Sequence, residues 1–326
     1  MSMHYSGRVA ATVCPRGAHT LIGRLTAVLV TLASFAYASV RAEANAEGDM
    51  RTAILCAYEP EWQALLPSLT DRQEARYGGV TFVTGRIEGT PVVVIESGIG
   101  PVNAAVATQT AIDRYMLNGI IVMGISGGIN PELHIGDVVI PAQWREYLDS
   151  VFARERGGRY TLPSFFPAPQ TENFGMIFPQ PVRIQNSAGG TDLRTWFPVN
   201  ARLLDAAQKT SAGVALETCT ADRKCLHATP RVVVGGNGIS GPAFVDNVAF
   251  RDFAHRAFKA EAVDMEAAAV AHTASMNAVP FLSIRSLSDL AGGDASSNEM
   301  EAFQGLASRN AVAVLRAILL QLRPGK

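Results

Sequence analysis

Charge of one sign is what this chain has least of. Its 28 lysines and arginines stand against 29 acidic residues, a formal net charge of −1. That balance excludes a basic field for nucleic acid and an acidic interaction tail. A small, uncharged or weakly charged ligand is the better fit. Long hydrophobic runs are missing too: none reaches the ~20 residues that a membrane span requires. Cysteine is scarce, with four in 326 residues. Cys56 lies in the apolar run Ala53-Ile54-Leu55-Cys56-Ala57 and reads as a buried, inert thiol. Cys219 and Cys225 bracket a polar stretch, with only His227 nearby and no fourth ligand at a zinc-like spacing. A small disulfide loop is therefore expected there in an oxidising compartment.

What is present is apolar. Hydrophobic residues make up 48% and charged residues 17%, the balance of a globular chain long enough to bury a full core. The first 44 residues stand apart. Arg8, Arg16 and Arg24 precede an uncharged run from Leu25 to Val40, and Ala42 and Ala44 supply small residues suited to cleavage. This is the layout of a secretory leader, and it predicts export to the periplasm or medium. The alternatives are an uncleaved anchor, or a start codon placed too early and a cytoplasmic protein. The remainder, 50–326, is expected to form one domain.

Within that domain strand-like and helical runs alternate. Strands are predicted at Thr52–Tyr58, Thr81–Ile87, Pro91–Glu96, Gly119–Met123, Asp137–Ile140, Arg231–Val234 and Phe281–Arg285. Helices are predicted at Glu61–Leu69, Asn103–Met116, Glu266–Met276 and Ala302–Leu322. Such alternation predicts an α/β domain, its helices packed on a largely parallel or mixed sheet. From about Arg145 to Pro198 the chain turns rich in Pro, Gly and aromatic residues. A loop insertion of this length is uncommon unless functional. It is expected either to pack on the surface or against a partner, or to form a lid or wall over the site.

Four segments deliver polar groups at the ends of apolar runs, where parallel strands present side chains to ligands. They are Val94-Ile-Glu-Ser-Gly-Ile-Gly100, Gly124-Ile-Ser-Gly-Gly128, Val263-Asp-Met-Glu266 and Ser286-Leu-Ser-Asp289. In the first, Ser97, Gly98 and Ile99 should form a tight turn whose backbone can approach a ligand. Read singly, Asp289 is a turn or capping residue, Glu266 a first-turn glutamate, Phe244 plain core and Glu61 a solvated helix start.

Together the four segments resemble the nucleoside phosphorylase and nucleosidase superfamily, from about Ile54 to about Leu322. The resemblance implies one three-layer α/β/α domain with a mixed, largely parallel, twisted central sheet. It implies cleavage of a bond between ribose and base. Asp289, in Arg285-Ser-Leu-Ser-Asp289, would protonate the purine N7, oriented by Ser288. Glu266 would accept hydrogen bonds from both ribose hydroxyls, and Met265 would pack under the sugar. Asp264 is assigned no direct role. Glu61, in Ala57-Tyr-Glu-Pro-Glu61, would activate water that Arg285 helps to hold, with Glu59 as the reserve choice. In Ser240-Gly-Pro-Ala-Phe-Val245, Phe244 would stack on the base and Val245 would bond it through its backbone.

Hydrolysis is expected rather than phosphorolysis. A phosphate dianion needs arginines in bidentate geometry, the superfamily's early Gly-Asp-Pro-x-Arg motif is missing, and Glu59 and Glu61 would repel the anion. The resemblance then points to 5′-methylthioadenosine/S-adenosylhomocysteine nucleosidases, with no metal or organic cofactor and a homodimer or higher homo-oligomer as the working form. Two alternatives stay open: a phosphate-dependent purine nucleoside phosphorylase, and a non-catalytic nucleoside or base binder. The second arises because Ile125–Asp137 and Ser286–Gly293 also resemble plant bark storage proteins of this fold.

Overall fold

The computed structural model describes residues 49–185, 189–294 and 297–323. The leader, 1–44, lies outside them. Twelve strands form the main sheet: β1 (Arg51–Cys56), β2 (Thr70–Tyr77), β3 (Val80–Ile87), β4 (Thr90–Glu96), β5 (Leu117–Gly128), β6 (Val138–Ile140), β7 (Gln143–Glu146), β8 (Phe197–Pro198), β9 (Val232–Val234), β10 (Asn237–Ser240), β11 (Ala260–Asp264) and β12 (Phe281–Asp289). The path runs β8-β7-β10-β11-β5-β1-β4-β3-β2, with β12 joining β5 and β6, and β9 joining β6. Pairs at the centre, β1 with β4 and β5 and β12 with β5, are parallel. The β2–β3–β4 meander is antiparallel. The sheet is thus mixed and largely parallel, as expected.

Among the described residues six α-helices accompany it: α1 (Glu59–Leu65), α2 (Pro101–Arg114), α3 (Ala201–Thr210), α4 (Val248–Phe258), α5 (Ala267–Met276) and α6 (Met300–Gln321). They pack as two groups, α6 with α1 and α3, and α2 with α5. All nine residues of β12 are buried, as a strand covered on both faces must be. Alanine allows the α2–α5 approach. Ala104, Ala107 and Ala111 of α2, and Ala267, Ala268, Ala271 and Ala274 of α5, are all buried.

Two strands extend past their predicted ends in ways that build the site. β5 runs to Gly128, and its last two residues pair antiparallel with Ala262 and Val263 of β11. β12 continues beyond Arg285, in register with β5 as far as Leu287, then slips so that Asp289 opposes Gly127. A slip of this kind bends a strand and re-aims its side chains. The carboxyl ends of β11 and β12 are thereby brought together across β5.

The insertion is more regular than a loop. Its ends belong to the sheet edge: Trp144 of β7 pairs with Phe197 of β8. Between them lie three antiparallel ribbons, Ser150–Phe152 with Ile177–Pro179, Arg154–Arg156 with Arg159–Thr161, and Val182–Gln185 with Thr191–Arg194. Its aromatic residues serve packing. Tyr147 and Phe174 meet Phe250 edge-on, with ring centroids 5.1 and 5.5 Å apart, and Phe174 also touches Phe253. The Cys219–Cys225 disulfide is formed, and Cys56 is buried.

Candidate active site

A pocket of about 650 Å³ opens where β5, β11 and β12 end. Glu61, Ile99, Phe244, Val245, Met265, Glu266, Ser288 and Asp289 all line it. Sequence reading had drawn these from five separate stretches of chain.

Asp289 is almost fully buried. Its Oδ1 accepts from the Ala291 N–H at 2.9 Å and its Oδ2 from the Ser288 hydroxyl at 2.9 Å. Burial pushes its pKa up, and these bonds only partly oppose the shift. A carboxyl that keeps its proton more readily is suited to protonating a leaving group. Asn298 Nδ2 adds a contact of 3.4 Å and also reaches Asp246 at 3.2 Å.

Glu61 is 1% exposed. Its Oε2 accepts from the N–H groups of Ala57 and Tyr58 at 2.8 and 3.1 Å, and its Oε1 from Ile125 N–H at 2.8 Å. Burial nevertheless raises its pKa, the condition of a usable base. Glu59 is exposed and bonds Gln63 instead. The first turn of α1 turns Glu61 inward to the pocket and Glu59 outward to solvent.

Glu266 stands at the amino end of α5. Its Oε1 accepts from Gly100 N–H at 2.8 Å, and Arg285 Nη2 lies 3.4 Å from its Oε2. Burial first, against the pull of Arg285, pushes its pKa up to about 7. Gly100 adopts φ +99°, open to glycine, and Pro101 then begins α2. Ser97 and Gly98 shape this turn without lining the pocket. The Ser97 hydroxyl donates back to the Gly98 carbonyl at 3.0 Å; of this turn Ile99 lines the pocket, and the Gly100 N–H is taken by Glu266.

Arg285 lies beneath the lining rather than in it. It is 1% exposed, and its Nε is 2.7 Å from Asp264 Oδ2 while Nη1 is 3.8 Å from Glu61 Oε1. Three carboxylates hold this guanidinium protonated although its burial opposes the charge. Asp264, given no role from sequence, proves central. It anchors Arg285, contacts the Ser240 hydroxyl, and accepts from the N–H groups of Glu266 and Ala267 at 3.2 Å. It thus caps α5 and sets the angle of Glu266.

Room for this cluster comes from a missing side chain. Gly124 opposes Arg285 in the β5–β12 register. A Cβ there would stand 2.6 Å from Arg285 Nη1 and would collide with the Glu61 carboxylate. Tyr58, Ser126 and Met300 also line the pocket. Met300 opens α6, far from any motif, and nothing in its local sequence marks it.

The base wall is braced from the insertion. Tyr147 donates to the Ala243 carbonyl at 3.4 Å, and its ring fills the space that a side chain at Gly241 would need. Among the described residues, none between 147 and 196 lines the pocket itself. Of the two readings of the insertion, its contacts among the described residues are those of packing, with Tyr147 set against Gly241 and Ala243 beside Phe244 in the chain.

Glu146 of β7 lies beside Ser240 in register. Burial, then the charges of Asp149, Asp264 and Glu266, pushes it from the usual 4.5 to about 8. Its native-state pKa exceeds its unfolded one, so its stabilising share is complete below the unfolded value and is lost as pH rises through the native value. Glu146→Gln should therefore gain on the wild type between about pH 5 and pH 8.5, at up to ~1.4 kcal/mol per unit crossed. Melting curves across that range test it. A constant difference in Tm would refute the assignment.

Comparisons with known proteins agree with this geometry. A family model described as the phosphorylase superfamily matches residues 51–320. A 5′-methylthioadenosine/S-adenosylhomocysteine nucleosidase of Shewanella loihica is 31% identical over 247 residues, spanning 75% of this chain and 88% of its own. The protein of the same name from Colwellia psychrerythraea is 30% identical over 277 residues, spanning 84% of this chain and 97% of its own. A crystal structure of the Colwellia nucleosidase in complex with adenine has a TM-score of 0.62 at 28% identity, covering 84% of this chain and 96% of that one.

Proposed function

The chain belongs to the phosphorylase superfamily, and from that membership we propose that it is a nucleosidase. It hydrolyses the N-glycosidic bond of a purine nucleoside, of the methylthioadenosine or adenosylhomocysteine kind, to free base and ribose derivative. One observation carries the reading. Glu61, Glu266 and Asp289 face one pocket, the pKa of each is raised by burial, and no lysine or arginine lines it among the described residues. A pocket so charged disfavours a phosphate dianion and favours a sugar that turns positive.

The steps follow from the positions. Protonated Asp289 gives its proton to N7 of the base as the C1′–N9 electron pair leaves with it. Glu266 accepts from the ribose hydroxyls and stabilises the positive charge on the sugar. Water attacks C1′ and loses a proton to Glu61. Asp289 ends ionised and Glu61 protonated, and exchange with solvent restores both. Arg285 is a positioning residue that holds Glu61, Asp264 and Glu266 in one constellation. Phe244, 55% exposed at the mouth, offers the base a flat face. A nucleoside panel incubated with and without phosphate tests the reaction. Free ribose or 5-thioribose should form without phosphate, whereas a strict phosphate requirement with a sugar 1-phosphate product would overturn it.

The same reading includes export and self-association. The leader pattern and the Cys219–Cys225 disulfide support an oxidising destination. Val102 and Val106, one turn apart on α2 and exposed, continue from Ile99 at the pocket mouth and support a contact between copies. One preparation checks both. N-terminal sequencing should begin near Glu43 or Asn45, and sedimentation should give a dimer or larger. A monomer beginning at Met1 would count against both.

A further inference from the structure

A second cavity, of about 540 Å³, lies at the root of the insertion and shares no lining residue with the nucleoside pocket. Arg145 forms one side of it, 3% exposed. Its guanidinium lies between two rings, 5.4 Å from the Trp196 centroid and 4.9 Å from that of Phe258. Its hydrogen bonds are two long ones to carbonyls, Nη2 to Gln180 at 3.3 Å and Nε to Glu146 at 3.5 Å. Asp149 exerts an electrostatic pull on it, yet no ion pair joins Arg145 to any carboxylate among the described residues. A buried cation that has an acidic neighbour but no direct ion pair is costly.

Gln180, 8% exposed, lines the same cavity, and its side-chain Nε2 has no hydrogen-bond partner. Buried polar groups are normally satisfied. Two residues with spare donor capacity, one cationic and one neutral, therefore line the same space. The rest of the lining is mixed: Pro167, Pro179, Pro181 and Trp196 offer flat apolar faces, and Gln170, Thr171 and Thr195 are polar.

We propose that this cavity is a second ligand site, for a small monocarboxylate with a flat apolar body. The carboxylate would accept from Arg145 and from Gln180 Nε2, in the charge-assisted geometry that guanidinium groups favour. One buried positive charge matches one negative charge. A dianion such as phosphate would leave a charge uncompensated near Asp149, and would leave the proline and tryptophan faces unused. The site belongs to the insertion, so its ligand need not be substrate or product of the nucleosidase reaction.

Titration calorimetry of the full protein with benzoate, benzamide and inorganic phosphate tests this. Benzoate should bind saturably, and Gln180→Leu should weaken it about tenfold or more, as loss of a hydrogen bond to a charged group does. Gln180→Leu should melt no lower than the wild type, because the amide Nε2 has no partner to lose, and should hydrolyse nucleoside at the wild-type rate. Asp289→Asn should keep benzoate binding, which would separate this cavity from the nucleoside pocket. The proposal fails if benzoate does not saturate, if Gln180→Leu binds it unchanged, or if benzamide or phosphate binds as well as benzoate.

Discussion

Asp289→Asn should lower kcat by about 10²–10⁴ while leaving KM within a few-fold, the range that general acid catalysis supplies. The asparagine keeps the shape: its oxygen can still accept from Ala291 N–H, as Asp289 Oδ1 does, while its NH2 takes the place of Oδ2 and can only donate toward the Ser288 hydroxyl oxygen. It cannot hand a proton to the leaving base. Burial raises the Asp289 pKa, so the wild type should lose activity on the alkaline side as this carboxyl ionises. The variant should lack that limb. Steady-state rates across pH measure both effects. A variant whose KM rises as much as its kcat falls, with the alkaline limb intact, would show that Asp289 binds the base without protonating it.

Glu61→Gln is the second large effect. The glutamine fits the same volume but cannot take a proton from water, so turnover should fall by about 10²–10⁴. Substrate should still bind, because the ribose and base contacts assigned to Glu266 and Phe244 are untouched. Intact nucleoside recovered from the variant by mass spectrometry, under conditions where the wild type yields free base, is the expected result. Some loss of stability should accompany it. Glu61 accepts three backbone N–H groups, and a glutamine must turn its own NH2 toward one side of them. Glu59→Gln is the control, since Glu59 is exposed and should be replaceable without effect. Full activity in Glu61→Gln would require a different water-activating group.

Both effects depend on a buried cluster with more negative than positive groups. Glu61, Asp264 and Glu266 share the single guanidinium of Arg285. Burial is the main cause of the upward shifts at Glu61 and Glu266, and at Glu266 the charges of Asp264 and Glu61 add to it against the pull of Arg285. The same crowding lets the site accept a developing positive charge on a sugar. Gly124 permits it, because any Cβ at that position would separate Glu61 from Arg285.

The sequence by itself determined the class of fold and most of the pocket lining. The continuous apolar run Gly119–Met123 reads as a covered strand because a strand buried on both faces has no polar side to show. The motifs that close such runs carried Glu266, Ser288 and Asp289, because parallel strands present ligand-binding groups at their carboxyl ends. Tertiary structure alone decided what joins these stretches. Asp264 reads as an ordinary acid until β11 and β12 meet and place Arg285 against it, 21 positions along the chain. Met300 enters the pocket only through the packing of α6, and Ser97 leaves it because its hydroxyl turns back on its own turn. The insertion shows the same limit. Its aromatic content marked it as functional or packed, but which of the two depended on the partners its rings found, and those partners, Phe250 and Phe253, come from a helix about 75 residues away in sequence. Local pattern reports which residues must be buried, whereas the contacts among buried groups are set by strand order and register, which no local pattern encodes.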